Sequence, residues 1–166
     1  TTSSGNPGFT VDANYFQSPS NCIKGETVDI FGVSKLTSPV FSTTGQNFVL
    51  LEFDHICKIN LLDIAKLEYS TDGVNWFYFD ADPVKITQGG PGNCYYLGTS
   101  ATFVANASTF TDMAHQVDWQ GGFPVAPLNT WWKHETFDIS LVAANQPTFQ
   151  VRFSFEDQGG AMNGYY

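Results

Sequence analysis

The sequence predicts an all-β, antiparallel sandwich, and three observations predict it. Aromatic residues make up 16% of the chain and charged residues only 14%, with 15 Phe and 7 Tyr. That composition suits pleated, half-buried strands better than helices. Gly and Pro are scattered along the whole length, as many short strands joined by turns require. The run from Phe48 to Phe79 supplies the pattern. Over Phe48–Ile59, Phe53, His55 and Cys57 alternate with Glu52, Asp54 and Lys58, the period of two of a strand with one buried face. Leu67–Ser70 and Trp76–Phe79 are predicted as two more strands joined by Thr71-Asp72-Gly73-Val74-Asn75. The Asp-Gly pair marks a hairpin turn, because glycine accepts positive φ without a Cβ clash.

Taken in order, Thr1–Gly8 is rich in Ser, Gly and Pro and reads as a flexible lead-in. Residues 9–166 form a single domain, since a chain of 166 residues is long enough for one substantial core. Phe9–Phe16 is a first strand, and Ser18–Gly25 is turn chemistry holding Cys22. Thr27–Val33 is another strand, and Pro39 within Leu36–Phe41 favours an edge or a bulge there. Asn60–Ile64 reads as a turn of helix or a crossover. A polar, Gly-rich passage from Asp80 to Asn93 precedes a strand over Tyr95–Ala105. Thr109–Leu128 is expected to be a long loop across one end of the sandwich. Trp131–Ile139 alternates again, so Trp131 and Trp132 face opposite sides. Thr148–Phe155 is the cleanest of the later strands: Phe149, Val151, Phe153 and Phe155 face one way, Gln150, Arg152 and Ser154 the other.

The charge balance removes whole classes of partner. Seven Lys and Arg against sixteen Asp and Glu leave a formal net charge of −9, which repels phosphate backbones and anionic lipid alike. Nucleic acid is not an expected partner. The sequence has no apolar run of the length a membrane helix needs, so membrane insertion is not expected either. No basic-then-apolar leader precedes Thr1, and a signal peptide is expected to be absent or already removed. Cys22, Cys57 and Cys94 lack C-x-x-C spacing, which argues against zinc and thioredoxin-type chemistry. Cys57 shares strand parity with Phe53 and is expected in the core. Cys22 and Cys94 sit in loop-like settings and are the candidate disulfide, which would fit an extracellular environment.

Chemistry is harder to find. His55, His115 and His134 have no zinc-type neighbours, and no nucleophile elbow, P-loop or dinucleotide fingerprint is present. Glu52, Asp54 and Glu68 are the residues a hydrolase acid pair would draw on, but the chain is expected not to be an enzyme. Two binding constellations remain, each against a plainer reading. Asp12, Asp54, Glu156 and Asp157 can converge on Ca²⁺, or be solvated surface charge. Trp119, Phe123, Trp131, Trp132, Tyr95 and Tyr96 can form a platform for sugar rings, or serve as core and loop packing, with at most one of Trp131 and Trp132 fully in the core.

Several segments in order resemble a known family. Leu36-Thr37-Ser38-Pro39-Val40-Phe41 is followed by FVLLEFDH, KLEYSTDGVNW, WWKHETFDIS and TFQVRFSFED. This order is similar to that of jelly-roll β-sandwich modules, MAM-like and immune-inhibitor-A-peptidase-like, appended to secreted peptidases and surface proteins of Bacteroidetes-type bacteria. The match runs from Leu36 to Asp157. The turn Ser70–Trp76 also resembles the Asp-box of sialidase-like propellers and a turn of discoidin-type sandwiches, although a structural turn is the plainer reading. The hairpin is one residue shorter than the family's, and the chain ends at Asn163-Gly164-Tyr165-Tyr166, where the family's closing strand begins. The resemblance implies a jelly roll lacking its final strand, or the front part of a longer polypeptide. It implies a bound Ca²⁺ that pins loops, and a non-catalytic, adhesin-type or structural module that is extracellular or on the cell surface. Its expected partners are other domains of the same longer polypeptide, a neighbouring chain, or glycans. A carbohydrate-binding module appended to a secreted enzyme is the alternative.

Overall fold

The computed structural model of the chain describes residues 2–5, 8–17, 20–25, 31–57, 63–78, 109–110 and 127–157. Ten strands and one short helix fall in these residues: β1 (Thr2–Gly5), β2 (Thr10–Asp12), β3 (Cys22–Lys24), β4 (Val33–Thr37), β5 (Leu50–His55), β6 (Ile64–Ser70), β7 (Phe77–Tyr78), β8 (Thr109–Phe110), β9 (Lys133–Asp138), α1 (Ser140–Ala143) and β10 (Gln150–Glu156). Every pairing is antiparallel, and the chain is all-β. The main sheet has six strands in the order β1-β4-β10-β6-β7, with β8 also paired to β6. The second edge of β6 is shared, with β7 at Glu68 and Tyr69 and β8 at Ala65 and Lys66. Two ribbons, β2–β3 and β5–β9, complete the set.

The alternation read in the sequence decides which faces meet. On β5, Leu51, Phe53 and His55 are buried or half-buried while Leu50, Glu52 and Asp54 are exposed. On β10 and the bridge residue just before it, Phe155 and Phe149 are fully buried and Val151 nearly so. The β5–β9 ribbon therefore packs on the main sheet, with Phe53 edge-on to Phe153 at 5.0 Å between centroids. Ala65 and Leu67 from β6, Trp131 and Ile139 at the ends of the β9 segment, and Cys57 complete the core. Cys57 is fully buried, as its strand parity predicts.

The opposite face of the main sheet is polar and yet shielded. Arg152 Nε donates to Glu68 Oε2 at 2.7 Å, and its guanidinium carbon lies 4.0 Å from the centre of the Trp76 ring, a cation–π arrangement. Lys66 reaches Glu156 at 2.8 Å. These side chains sit opposite one another because the register pairs Arg152 with Glu68 and Glu156 with Ile64, two residues from Lys66.

Three segments differ from their sequence expectation: Thr2–Gly5, Thr109–Leu128, and Ser18–Gly25, read as turn chemistry, where Cys22–Lys24 is β3; Pro39 sits in the bulge that the sequence predicts. Thr2–Gly5, read as a flexible lead-in, is a strand paired with β4. All four residues are exposed, so backbone pairing holds them and side-chain pattern carries no trace of it. Pro39 falls just beyond β4. Between the Thr37–Arg152 pair and the Phe41–Phe149 bridge, Ser38, Pro39 and Val40 face only Gln150 and Val151. That extra residue is a bulge, which spares the ladder the hydrogen bond that proline cannot donate. The first two residues of the supposed loop Thr109–Leu128 form β8.

The hairpin between β6 and β7 forms as its Asp-Gly pair predicts, with Gly73 at φ +75°. Asp72 organises it: Oδ1 accepts the Val74 and Asn75 amides at 2.8 and 2.7 Å, and Oδ2 accepts the Asn75 side-chain amide at 2.6 Å. The Asn75 side chain first, then these amides, hold the Asp72 carboxyl well below the usual carboxylate range. A depressed folded-state pKa stabilises above the unfolded value, near 3.9, and that contribution is lost as pH falls through the folded one. Asp72→Asn should therefore melt lower than the wild type at pH 7, with the gap closing as pH drops below about 4. Thermal melts at pH 7, 4 and 2 check this, and a gap independent of pH would contradict it.

Candidate functional site

A pocket of about 370 Å³ opens between the β2–β3 ribbon and the body of the fold. Its floor is aromatic. The register that pairs Leu36 with Phe153 sets these two side by side on the core-facing side of the main sheet, and Phe53 crosses over Phe153 from β5. All three line the pocket, with Phe9, Ile56, Pro127 and Trp132 around them. The ribbon supplies the other wall through Tyr15, Gln17, Asn21, Cys22, Ile23 and Lys24. Asp54 and His55 from β5 close the ring. Five aromatic rings with amides and charged groups among them make a cavity that takes a flat or apolar body and orients its polar edge.

Electrostatics at the site are local. Lys24 Nζ lies 3.3 Å from Asp12 Oδ2 across the ribbon. The Asn14 backbone amide, helped by Lys24, lowers the Asp12 carboxyl pKa. Burial first, and then the Asp12 charge, push the Cys22 thiol up. Cys22 therefore stays protonated near neutral pH and is a poor nucleophile. Asp54 lies at the pocket, but its Oδ1 is 3.1 Å from His134 Nδ1 on the solvent side of the β5–β9 ribbon, with Glu52 Oε1 3.8 Å from His134 Nε2. The Trp132 indole Nε1 is buried and meets no acceptor among the described residues.

The residues singled out in the sequence fall in several places. Trp131 is buried in the core cluster, and its neighbour Trp132 lines the pocket. Opposite parity had separated the two without saying which was which. Trp119, Phe123, Tyr95 and Tyr96 lie outside the described residues. Of the four carboxylates considered for Ca²⁺, three have basic partners: Asp12 pairs with Lys24, Asp54 with His134 and Glu156 with Lys66. Asp157 is buried where its backbone amide donates to the Gly32 carbonyl. Among the described residues, no group of three or more His, Cys, Asp or Glu could hold a metal ion. Cys22 forms no disulfide with another described residue and Cys94 lies outside the described residues, so the Cys22–Cys94 pairing stays an expectation. Phe9, Tyr15, Phe53 and Phe153 carried no separate signal, because a pocket-facing aromatic on a strand has the same parity as a core one.

Searches of protein-family models, of curated proteins and of solved structures find no match to this chain.

The two tryptophans should separate in denaturation. Trp131→Ala removes a core side chain and should cost about 3 kcal/mol or more. Trp132→Phe keeps an aromatic side chain and deletes the buried N–H together with the five-membered ring, and should cost about 1–2 kcal/mol, less than Trp131→Ala. Urea midpoints at constant slope check this, and equal losses for the two variants would contradict the placement.

Proposed function

We propose that this chain is a non-catalytic binding module of a secreted or cell-surface bacterial protein, and that the pocket beside the β2–β3 ribbon is its ligand site. The observation that carries the reading is that pocket: about 370 Å³, aromatic on its floor and walls, polar around its rim. It falls in the size range of small-molecule sites. The absence of catalytic motifs from the sequence and the protonated Cys22 thiol support a binding role over a chemical one. The motif order from Leu36 to Asp157 supports a jelly-roll module of MAM-like type, attached to other domains of a longer polypeptide or to a neighbouring chain and acting as an adhesin or spacer.

A second reading, a carbohydrate-binding module appended to an enzyme, is favoured by the pocket rings themselves. Axial C–H groups of a sugar pack on the negative faces of aromatic rings, and Gln17, Asn21 and Lys24 stand where hydroxyls would be oriented. Binding of a saccharide panel, followed by tryptophan fluorescence and calorimetry, tests it. A saccharide that binds the wild type should lose about tenfold or more in affinity in Tyr15→Ala, on the scale of one aromatic contact. A saccharide bound equally well by Tyr15→Ala and Phe53→Ala would remove the pocket from the account. A panel without a single binder would remove the carbohydrate reading.

A further inference from the structure

Neighbouring residues on the central strands of the main sheet divide between its two faces. Leu36 and Phe153 turn toward the core and the pocket. Lys35 and Ser154, one position away on each strand, therefore turn to the other face. The register lines up a transverse row there: Ser4 on β1 opposite Lys35 on β4, Lys35 opposite Ser154 on β10, and Ser154 opposite Lys66 on β6. Directly opposite residues have their Cβ atoms about 5 Å apart, so Ser154 lies between two lysines. The Lys66–Glu156 and Arg152–Glu68 contacts belong to the same face.

Two members of this row have binding capacity that the described chain does not use. Ser154 is 1% exposed, and its Oγ meets no hydrogen-bond partner among the described residues. A buried hydroxyl in that state has lost its hydration without compensation. Lys35 is half-buried. Among the described residues it takes part in no ion pair, whereas Lys24, Lys66 and Arg152 each have a carboxylate oxygen within 3.3 Å. The charge balance here is also opposite to that of the whole chain. Lys35, Lys66 and Arg152 are three of its seven Lys and Arg, and they share the face with Glu68 and Glu156 from its sixteen Asp and Glu. Both glutamates already have partners. Among the described residues of this face, one positive charge is left over, beside an unused donor.

We infer that Lys35 and Ser154 form an anion site on the outer face of the main sheet, and that its ligand is a small carboxylate. The Lys35 ammonium supplies the charge, and the Ser154 hydroxyl donates to a carboxylate oxygen. The exposed Ser4 hydroxyl stands at the open end of the row. A monoanion matches the single surplus charge. A dianion such as sulfate would bring one negative charge too many into a half-buried layer. The burial of Ser154 restricts the ligand further, to an acid small enough to enter when a flexible lysine stem swings aside. The site faces away from the pocket and needs nothing bound there, so it stands or falls independently of the binding reading.

Formate is the probe, titrated against chloride at constant ionic strength and followed by backbone amide shifts in NMR. It should move the Lys35 and Ser154 amides along a saturable curve. Lys35→Met keeps the stem and removes the charge, and should weaken formate about tenfold, the scale of one charge-assisted hydrogen bond. Thermal melts give a second reading. In chloride, Ser154→Ala should melt no lower than the wild type, because the hydroxyl it deletes has no partner to lose. Formate should raise the wild-type midpoint above that in equal chloride, and raise those of Lys35→Met and Ser154→Ala less. A non-saturating response to formate, or a Lys35→Met response equal to the wild type's, overturns the site. So does a Ser154→Ala melt well below the wild type in chloride, which would mean that the hydroxyl is already bonded within the chain. Sulfate bound as tightly as formate overturns the choice of a monoanion.

Discussion

Strand β10 is the constraint on which the rest of this structure depends. It lies between β4 and β6 in the main sheet, so both of its edges are satisfied and both of its faces are committed. Val151, Phe153 and Phe155 form its inner row, and Phe149 continues it just before the strand. Phe149 stacks on Tyr69 at 5.9 Å and meets Phe41 edge-on at 5.6 Å. Burying a phenylalanine fully contributes about 1.5–3 kcal/mol, and two of the four are fully buried. The same row, one position along, gives Phe153 to the floor of the pocket. Core and candidate site are thus one surface, continuous along a single strand.

The outer row explains why that strand keeps its register. A slip of one residue would turn Arg152 and Glu156 toward the core and the phenylalanines outward. Arg152 holds Glu68 at 2.7 Å with only 14% and 10% of the two side chains exposed, and it stacks on Trp76. Desolvating such a pair offsets much of its Coulomb attraction, so its net stabilisation is small. Its effect is on specificity, because the misregistered alternative would leave these charges without partners in an apolar layer. Trp76 arrives over Arg152 because the Asp72-centred turn brings the chain back at the end of β6. The hairpin, the ion pair and the central strand therefore reinforce the same alignment.

Much of this was legible in the sequence, and the rest was hidden for physical reasons. Alternation exposed β5, β6, β9 and β10, since a strand with one buried face must repeat at two residues. Asp72-Gly73 exposed the hairpin, and Pro39 exposed the bulge, since each residue has few backbone conformations to choose from. β1 was invisible because four exposed residues pair only through their backbone. The pocket was invisible because it is a tertiary coincidence. Tyr15 and Asn21 from the ribbon meet Phe53, Trp132 and Phe153, more than a hundred residues further along at the far end of that set. The aromatic platform was sought at Trp119, Phe123, Trp131, Trp132, Tyr95 and Tyr96, whereas the aromatic surface that the structure describes joins Trp132 to Phe9, Tyr15, Phe53 and Phe153.

Native-state hydrogen exchange followed residue by residue tests the central role of β10 most directly. The amides that pair β10 with β4 and β6 should exchange only through global unfolding, with protection matching the free energy from denaturant unfolding. The amides of the peripheral strand β1 should exchange far faster through local fraying. Protection in β10 no greater than in β1 would contradict the account, since core and pocket floor could not then rest on that strand.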